Sequence, residues 1–254
     1  MTANPIFDLK NNRDQDSLKS LMEFLWSENG DISADDIAFL GFDCETTGLD
    51  HDNDLLIQIG MVAFTSDYTP VSYFESVVFE AGALNRYRAG KIHPAAAEMH
   101  EKNGLWGKLA RIDDNDYHHE FIPGRVEQQA IAWLETLGIA DKRLPMLGSS
   151  ITFDRTFLAK YMPDLLDKFH YRSVDASSLV TVAANAAEIE EGAVKSLAHE
   201  SRKGSEEHTC VSDILTSAAN IVASIDVVCS TVSDDWSVFL SLIHISEPTR
   251  PRLI

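Results

Sequence analysis

The chain is short of positive charge: its 254 residues hold 21 Lys and Arg against 40 Asp and Glu, a formal net charge of −19. Coating a long nucleic acid relies on many basic side chains neutralising phosphates, so this balance weighs against that class of function. It leaves room for a pocket that takes short or terminal substrates, where bound divalent cations offset local carboxylates. Cysteine is scarce too. Cys44, Cys210 and Cys229 are an odd number without metal-ligand spacing, which argues against a disulfide framework and for a reducing compartment. The opening MTANPIFDLKNNRDQD has no apolar run that could act as a signal. Nor does any stretch approach the roughly 20 apolar residues that span a bilayer. A cytoplasmic protein that engages no membrane is expected. No internal repeat and no low-complexity linker is visible.

What is present is 44% hydrophobic residues, enough for an ordinary core and one large α/β domain. Leu18, Leu21, Met22 and Leu25 fall at helical spacing between cap candidates Asp16 and Ser17 and Gly30, predicting an amphipathic helix over 16–29. The continuous run IAFLGF, Ile37 to Phe42, reads as a buried central strand. LLIQIGMVAF (Leu55 to Phe64) and VSYFESVVF (Val71 to Phe79) add two more strands, giving an antiparallel meander. A long, irregular, charged stretch follows. Then come a helix from about Arg125 to Leu137, a strand Leu144 to Leu147, a helix Phe153 to Tyr161 and a strand near Ser173 to Asp175. Helices from Ser177 to about Ala187 and around Cys210 to Ser224 end the pattern. A meander followed by strands alternating with helices describes a mixed sheet flanked by helices. The terminal LSLIHISEPTRPRLI, Leu240 to Ile254, resembles the translation of a transposase adapter used in DNA library preparation and is set aside as not native. The expected organisation is therefore a helical extension over 1–35, a main domain over 36–239 and the adapter-like tail over 240–254.

In FDCETTGLD, Asp43 and Glu45 lie two apart on a strand, and the period of two sends both carboxylates to one face. Two acids so placed repel unless a cation lies between them, and a hard, oxygen-preferring ion such as Mg²⁺ or Mn²⁺ is the natural partner. D-x-E alone reads more simply as an acidic surface, but the apolar run before it argues against a solvated face. A pair of ions needs further carboxylates. Asp154, heading the helix TFDRTFLAKYM, and Asp213, in the last helix, are the candidates, although an Asp at a helix start is usually a cap or dipole partner. His208 and Asp213 are five apart, so on one continuous helix they would not face the same point. His208 therefore reads as a loop residue able to take a proton from water near neutrality.

In order, D-x-E, a D heading an apolar helix, and H-x-x-x-x-D resemble the histidine-bearing branch of the DEDD exonuclease superfamily. Over roughly Phe39 to Ser224 the chain is most similar to the oligoribonuclease family. The stretch GSSITFDRTFLAKYMPDLLDKFHYRSVDASSL, Gly148 to Leu179, carries the likeness through KYMP, HYR and D-x-S-[ST]; MHEKNGL, Met99 to Leu105, adds a histidine followed by x-x-x-Gly-Leu. The resemblance implies a ribonuclease H-like α/β fold and 3′-to-5′ hydrolysis of short oligonucleotides to nucleoside 5′-monophosphates. Two divalent cations, Mg²⁺ or Mn²⁺, would be held by Asp43, Glu45, Asp154 and Asp213, with His208 as general base.

It further implies base contacts from Leu49 and His100, a 5′-phosphate cap from Ser150, Arg172 and Ser177, and a contribution from Tyr171, in the family across a homodimer interface. The partners are then short single-stranded RNA or DNA 3′ ends. Ser149, Thr46 and Ala95 depart from the family's Asn, Met and Trp. The 106–121 insertion and the N-terminal extension also differ, which keeps open a 3′-to-5′ exonuclease acting on single-stranded DNA. An inactive nucleic-acid-binding module is the alternative of another class, and retention of all five residues argues against it. His118, His119, Asp50, Asp52 and Asp54 read as solvent-facing, and 187–207 as mobile enough to deliver His208.

Overall fold

Three consecutive apolar runs build the sheet. In the computed structural model, which describes residues 33–114, 118–200 and 209–231, β1 (Ile37–Thr46), β2 (Leu56–Thr65) and β3 (Pro70–Val77) form the antiparallel meander. β4 (Leu144–Gly148) and β5 (Phe169–Asp175) extend the other edge in parallel, giving five strands in the order β3-β2-β1-β4-β5. The helix expected over 16–29 and the tail over 240–254 lie outside the described residues.

Both faces of the sheet are covered, and β2 is buried along nearly its whole length. On one face Leu40, Phe42, Ile59 and Met61 pack with Ala130 and Leu134 of α4 (Pro123–Thr136) and Phe157 of α5 (Ile151–Tyr161). Each such side chain taken from water contributes about 1.5–3 kcal/mol. The short α6 (Pro163–Leu166) closes that layer with Leu165. On the opposite face Val62, Phe64 and Leu147 meet Val211, Ile214, Leu215 and Ala218 of α9 (Cys210–Thr231). Val180, Ala183 and Ala184 of α7 (Ala176–Ala187) and Val194 and Ala198 of α8 (Glu191–Glu200) pack with Ala223 and Val227 of α9.

Three expectations change. The stretch read as irregular folds into α1 (Ala81–Arg88), α2 (Pro94–Lys102) and α3 (Leu105–Asp114), which bury Leu84, Ile92, Leu105, Trp106, Leu109 and Ile112 against Ile57 and Phe79. Each helix is only 8 to 10 residues long, too short for periodicity to stand out between charged neighbours. The segment expected to be mobile contains α8, whose Val194 is fully buried. Finally, α9 is a 22-residue helix of mean hydropathy 1.5 over its most apolar window, so a run of membrane-spanning length does exist. Its Ser and Ala residues interrupt the apolar pattern, and Ser212, Ser217, Ser224 and Ala218 are buried against the rest of the fold, as in a core helix.

Candidate metal centre

Glycines decide how close α9 comes to the sheet. A Cβ on Gly41 of β1 would sit 2.3 Å from Ile214 Cγ2, and one on Gly60 of β2 would sit 2.4 Å from the Cys210 Cβ. Both contacts are closer than real side chains allow, so only glycine lets the start of α9 lie on this part of the sheet. Gly60 pairs with Asp43, and Gln58 with Glu45, so the face α9 covers is the one that carries both carboxylates. The first turn of α9 is set by Thr209, whose carbonyl accepts from Asp213 N–H (2.9 Å) and whose Oγ1 accepts from Ser212 N–H (3.2 Å). From α5, on the other face of the sheet, Asp154 reaches β1, 3% exposed, its Oδ1 accepting the Cys44 backbone N–H at 3.1 Å.

Glu45, Asp154 and Asp213 all lie near enough to Asp43 for their charges to act on its carboxyl. Burial, then the charges of Asp154, Glu45 and Asp213, hold the Asp43 carboxyl well above the usual carboxylate range. Burial, then Asp213, Glu75 and Asp154, raise Glu45 to about 8. Burial raises Asp154 to about 7 against the opposing hydrogen bonds from Cys44. Acids crowded and desolvated in this way favour a proton or a cation over bare ionisation. His208 lies outside the described residues; α9 begins at Cys210, two residues beyond it.

Sequence reasoning missed two residues here. Glu75 of β3 pairs with Gly60 in the row that contains Asp43, is 9% exposed, and accepts a hydrogen bond from Val211 N–H at the start of α9. Burial raises its pKa, partly offset by Lys108 and that hydrogen bond. Its Oε1 has no hydrogen-bond partner. Cys210 is the second: its thiol donates to Asp43, and donor atoms of Asp43, Glu45 and Cys210 lie within 4.8 Å of one another. The single E inside VSYFESVVF was the available signal for Glu75, a charge at an inward position of an apolar strand. Nothing in the local sequence marks Cys210, because its partners come from other strands.

His100 requires correction. Its side chain is fully buried, its Nε2 donates to the Thr46 carbonyl at 2.9 Å, and its Nδ1 lies 3.8 Å from Glu45 Oε2. In this arrangement the ring offers no face to a base. A carbonyl only accepts, so the proton is on Nε2, and burial lowers the His100 pKa, leaving a neutral ring. The 3.8 Å approach of Nδ1 to Glu45 Oε2 is thus neither an ion pair nor a hydrogen bond, and Nδ1 has no hydrogen-bond partner. Trp106 packs edge-on to the His100 ring and stacks on Tyr87, so the 106–121 insertion begins as the brace behind His100.

The remaining predicted residues form an exposed rim. Leu49 is 79% exposed on a loop tied down by Asp54, which accepts from Thr47 Oγ1 and Asp50 N–H, both at 2.9 Å. Asp54 is therefore a loop anchor rather than a solvated acid. Lys160 of α5 also holds this loop, through the His51 carbonyl at 2.8 Å. Ser150 sits at a left-handed φ of 56° immediately before α5, and its hydroxyl is 3.4 Å from that of Ser177 in the first turn of α7. Asp175 joins these two helix starts, accepting from Ile151 N–H and Ser178 N–H at 2.9 Å each. On β5, Tyr171 is 78% exposed and Arg172 lies over its ring, 5.6 Å from the centroid. His119 is exposed as expected, whereas the His118 ring packs near Phe79 at 5.6 Å.

No family model matches the chain. Among curated proteins it is 31% identical to an oligoribonuclease of Tropheryma whipplei over 185 residues, 70% of this chain and 86% of that one. It is also 31% identical to one of Acinetobacter baylyi over 169 residues, 66% of this chain and 86% of the relative. A match to the mitochondrial oligoribonuclease of Saccharomyces cerevisiae, again at 31%, spans about half of that protein, 51%. Among solved structures, E. coli Exonuclease I in complex with a 5cy-dA13 oligonucleotide aligns over 82% of this chain and 42% of its own length, at 16% identity; its TM-score of 0.31 is too low to bear on the site. The converging acids and these relatives, two of them matched over most of their length, agree: the chain belongs to the oligoribonuclease family.

Proposed function

We infer that the chain is a metal-dependent 3′-to-5′ exoribonuclease that hydrolyses short oligonucleotides to nucleoside 5′-monophosphates. The observation that supports this is a buried or half-buried Asp43 on whose carboxyl the charges of Asp154, Glu45 and Asp213 all act. The donor set fits a hard divalent cation, since carboxylate oxygens suit Mg²⁺ or Mn²⁺. Two buried polar atoms without partners, Glu75 Oε1 and His100 Nδ1, lie in the same surroundings and are explained by a positive charge nearby. Asp43, Glu45, Asp154 and Asp213 would hold two such ions, which supply charge neutralisation at the phosphodiester and a more acidic water.

The chain's own residues do the rest. His208 takes the proton of the attacking water. His100 holds the end of β1 through the Thr46 carbonyl, next to Glu45, and Glu75 holds the α9 turn that presents Asp213. Ser150 and Ser177 bring two hydroxyls to within 3.4 Å of each other where two helices begin, and hydroxyls so placed can donate to phosphate oxygens. With Arg172, whose planar donors grip such oxygens in pairs, they cap a 5′ phosphate and restrict the site to very short substrates. Leu49 lies against the terminal base. Tyr171 is exposed enough to act across a homodimer contact.

A product ladder from the full-length protein with Mn²⁺ tests this, comparing a 5′-labelled RNA dinucleotide with a longer single-stranded DNA and using Asp43→Ala as control. Rapid dinucleotide cleavage with a nearly inert long strand is expected. Stepwise shortening of the DNA with slow dinucleotide turnover would move the chain to DNA processing, and no Mn²⁺-dependent cleavage in folded protein would leave a binding module.

A further inference from the structure

A sulfur atom stands among the oxygens of the carboxylate cluster. Cys210 opens α9, is fully buried, and comes close to the sheet because position 60 is glycine, where a Cβ would sit 2.4 Å from the Cys210 Cβ. Its thiol donates to Asp43. The donor atoms of Asp43, Glu45 and Cys210 are mutually within 4.8 Å, a spread that one cation can gather. An independent sign that something is missing there comes from His100, whose side chain is fully buried and whose partnerless Nδ1 is directed at Glu45 Oε2 from 3.8 Å. A buried lone pair left without a donor costs free energy, which a cation held at the neighbouring carboxyls would offset.

We propose that Cys210 is a third donor of the cation site, so that Asp43, Glu45 and Cys210 together take a thiophilic divalent cation of the zinc or cobalt class where the exonuclease reading places a hard one. The proposal rests on that reading only in assigning Asp43 and Glu45 to a cation. Carboxylates alone suit Mg²⁺ and Mn²⁺; a thiolate shifts the preference toward softer ions. Coordination forms a metal–sulfur bond and breaks the S–H bond, the proton leaving to solvent, since a cation in such a site is the largest local charge and deprotonates a coordinating thiol. The consequence is a site that Mg²⁺ or Mn²⁺ supports and that Zn²⁺ or Co²⁺ occupies more tightly, competing with the hard ion.

The test is a Co²⁺ titration of the metal-free full-length protein, read by near-ultraviolet absorption, where a sulfur-to-cobalt charge-transfer band reports the bond directly. Wild type should develop a saturable band. Cys210→Ser should lose it, with Co²⁺ affinity falling by about tenfold or more, the scale on which even outer partners of a ligand act. A protein with Cys44→Ser and Cys229→Ser, which leaves Cys210 as the sole thiol, should keep the band. Mn²⁺ binding, followed by electron paramagnetic resonance, should fall less than Co²⁺ binding in Cys210→Ser. Co²⁺ bound to wild type without the band overturns the proposal, as does a band that disappears with Cys44→Ser instead. In either case Mn²⁺-dependent hydrolysis that Asp43→Ala abolishes keeps the exonuclease reading. A Cys210-dependent band in a protein with no such hydrolysis sinks that reading and leaves the metal site.

Discussion

The carboxylate cluster and the rim around it are built on opposite terms. Asp154 and Glu45 are 3% and 5% exposed, one held by the Cys44 backbone N–H and the other by strand register, whereas Leu49 and Tyr171 are 79% and 78% exposed. Rim side chains can move toward a substrate without disturbing the core; the cluster cannot move, and its members repel one another. Preorganised charge of this kind serves a reaction while costing stability in the metal-free protein. Changes in the cluster should therefore move activity and stability in opposite directions, and changes on the rim should move substrate use alone.

Asp154→Asn should give the largest effect. Loss of a carboxylate that holds a catalytic cation removes several kcal/mol of transition-state stabilisation, so hydrolysis should fall by about a thousandfold or more. The thermal midpoint of the metal-free protein should hold or rise, because the amide oxygen still accepts from Cys44 N–H and a buried charge is gone. A steep fall in that midpoint would make Asp154 a structural residue and dissolve the contrast with the rim.

The next effect is on pH dependence. Glu45 has a folded pKa of about 8 against an ordinary 4.5, and Asp154 about 7 against 3.8. A group raised in the folded state binds more protons folded than unfolded between those values, so stability declines as pH rises through that window. The metal-free midpoint should be highest at or below pH 3.8 as far as these two groups decide it, and should fall toward pH 8. Mn²⁺ should restore it, with a larger shift at pH 8 than at pH 5, because the cation favours the ionised carboxylates. An equal shift at both pH values, read by calorimetry, would show that the carboxylates do not hold the ion.

The cluster was legible in the sequence to the extent that its chemistry was local. D-x-E at the end of an apolar run gave both the strand and the shared face, and the sheet was visible because Ile37 to Phe42 and Leu55 to Phe64 are long and uninterrupted. Glu75 showed only as a charge inside an apolar strand, and Cys210 not at all, because their partners are set by strand pairing and a glycine contact that no single segment encodes. His100 was placed by likeness on the substrate side, and its burial follows from Trp106 and Tyr87 of helices too short to be read. The family likeness proposed Ser150 and Ser177 as substrate contacts, but only the structure showed that Asp175 ties the two helix starts together.

On the rim, Arg172→Ala should slow dinucleotide cleavage by about ten- to a hundredfold, the worth of a charged hydrogen bond of roughly 1.5–3 kcal/mol. It should leave longer strands and the thermal midpoint nearly untouched. Equal losses on both substrates would remove the phosphate cap from the proposal.

Glu75→Gln should produce the smallest change and sharpens the comparison from inside the cluster. The amide oxygen can still accept from Val211 N–H, so the α9 turn keeps its support, while one negative charge beside Glu45 disappears. Glu75→Ala removes the acceptor as well and leaves a buried N–H without a partner, at a cost of about 1–3 kcal/mol. In a domain of this size that corresponds to a fall of roughly 2–4 °C in the thermal midpoint for each kcal/mol. The Gln variant should therefore melt at or slightly above the wild type without metal, and the Ala variant clearly below it. If both melt below wild type by the same amount, the charge of Glu75 rather than its hydrogen bond supports the helix, and the view that crowded carboxylates here only cost stability fails at this position.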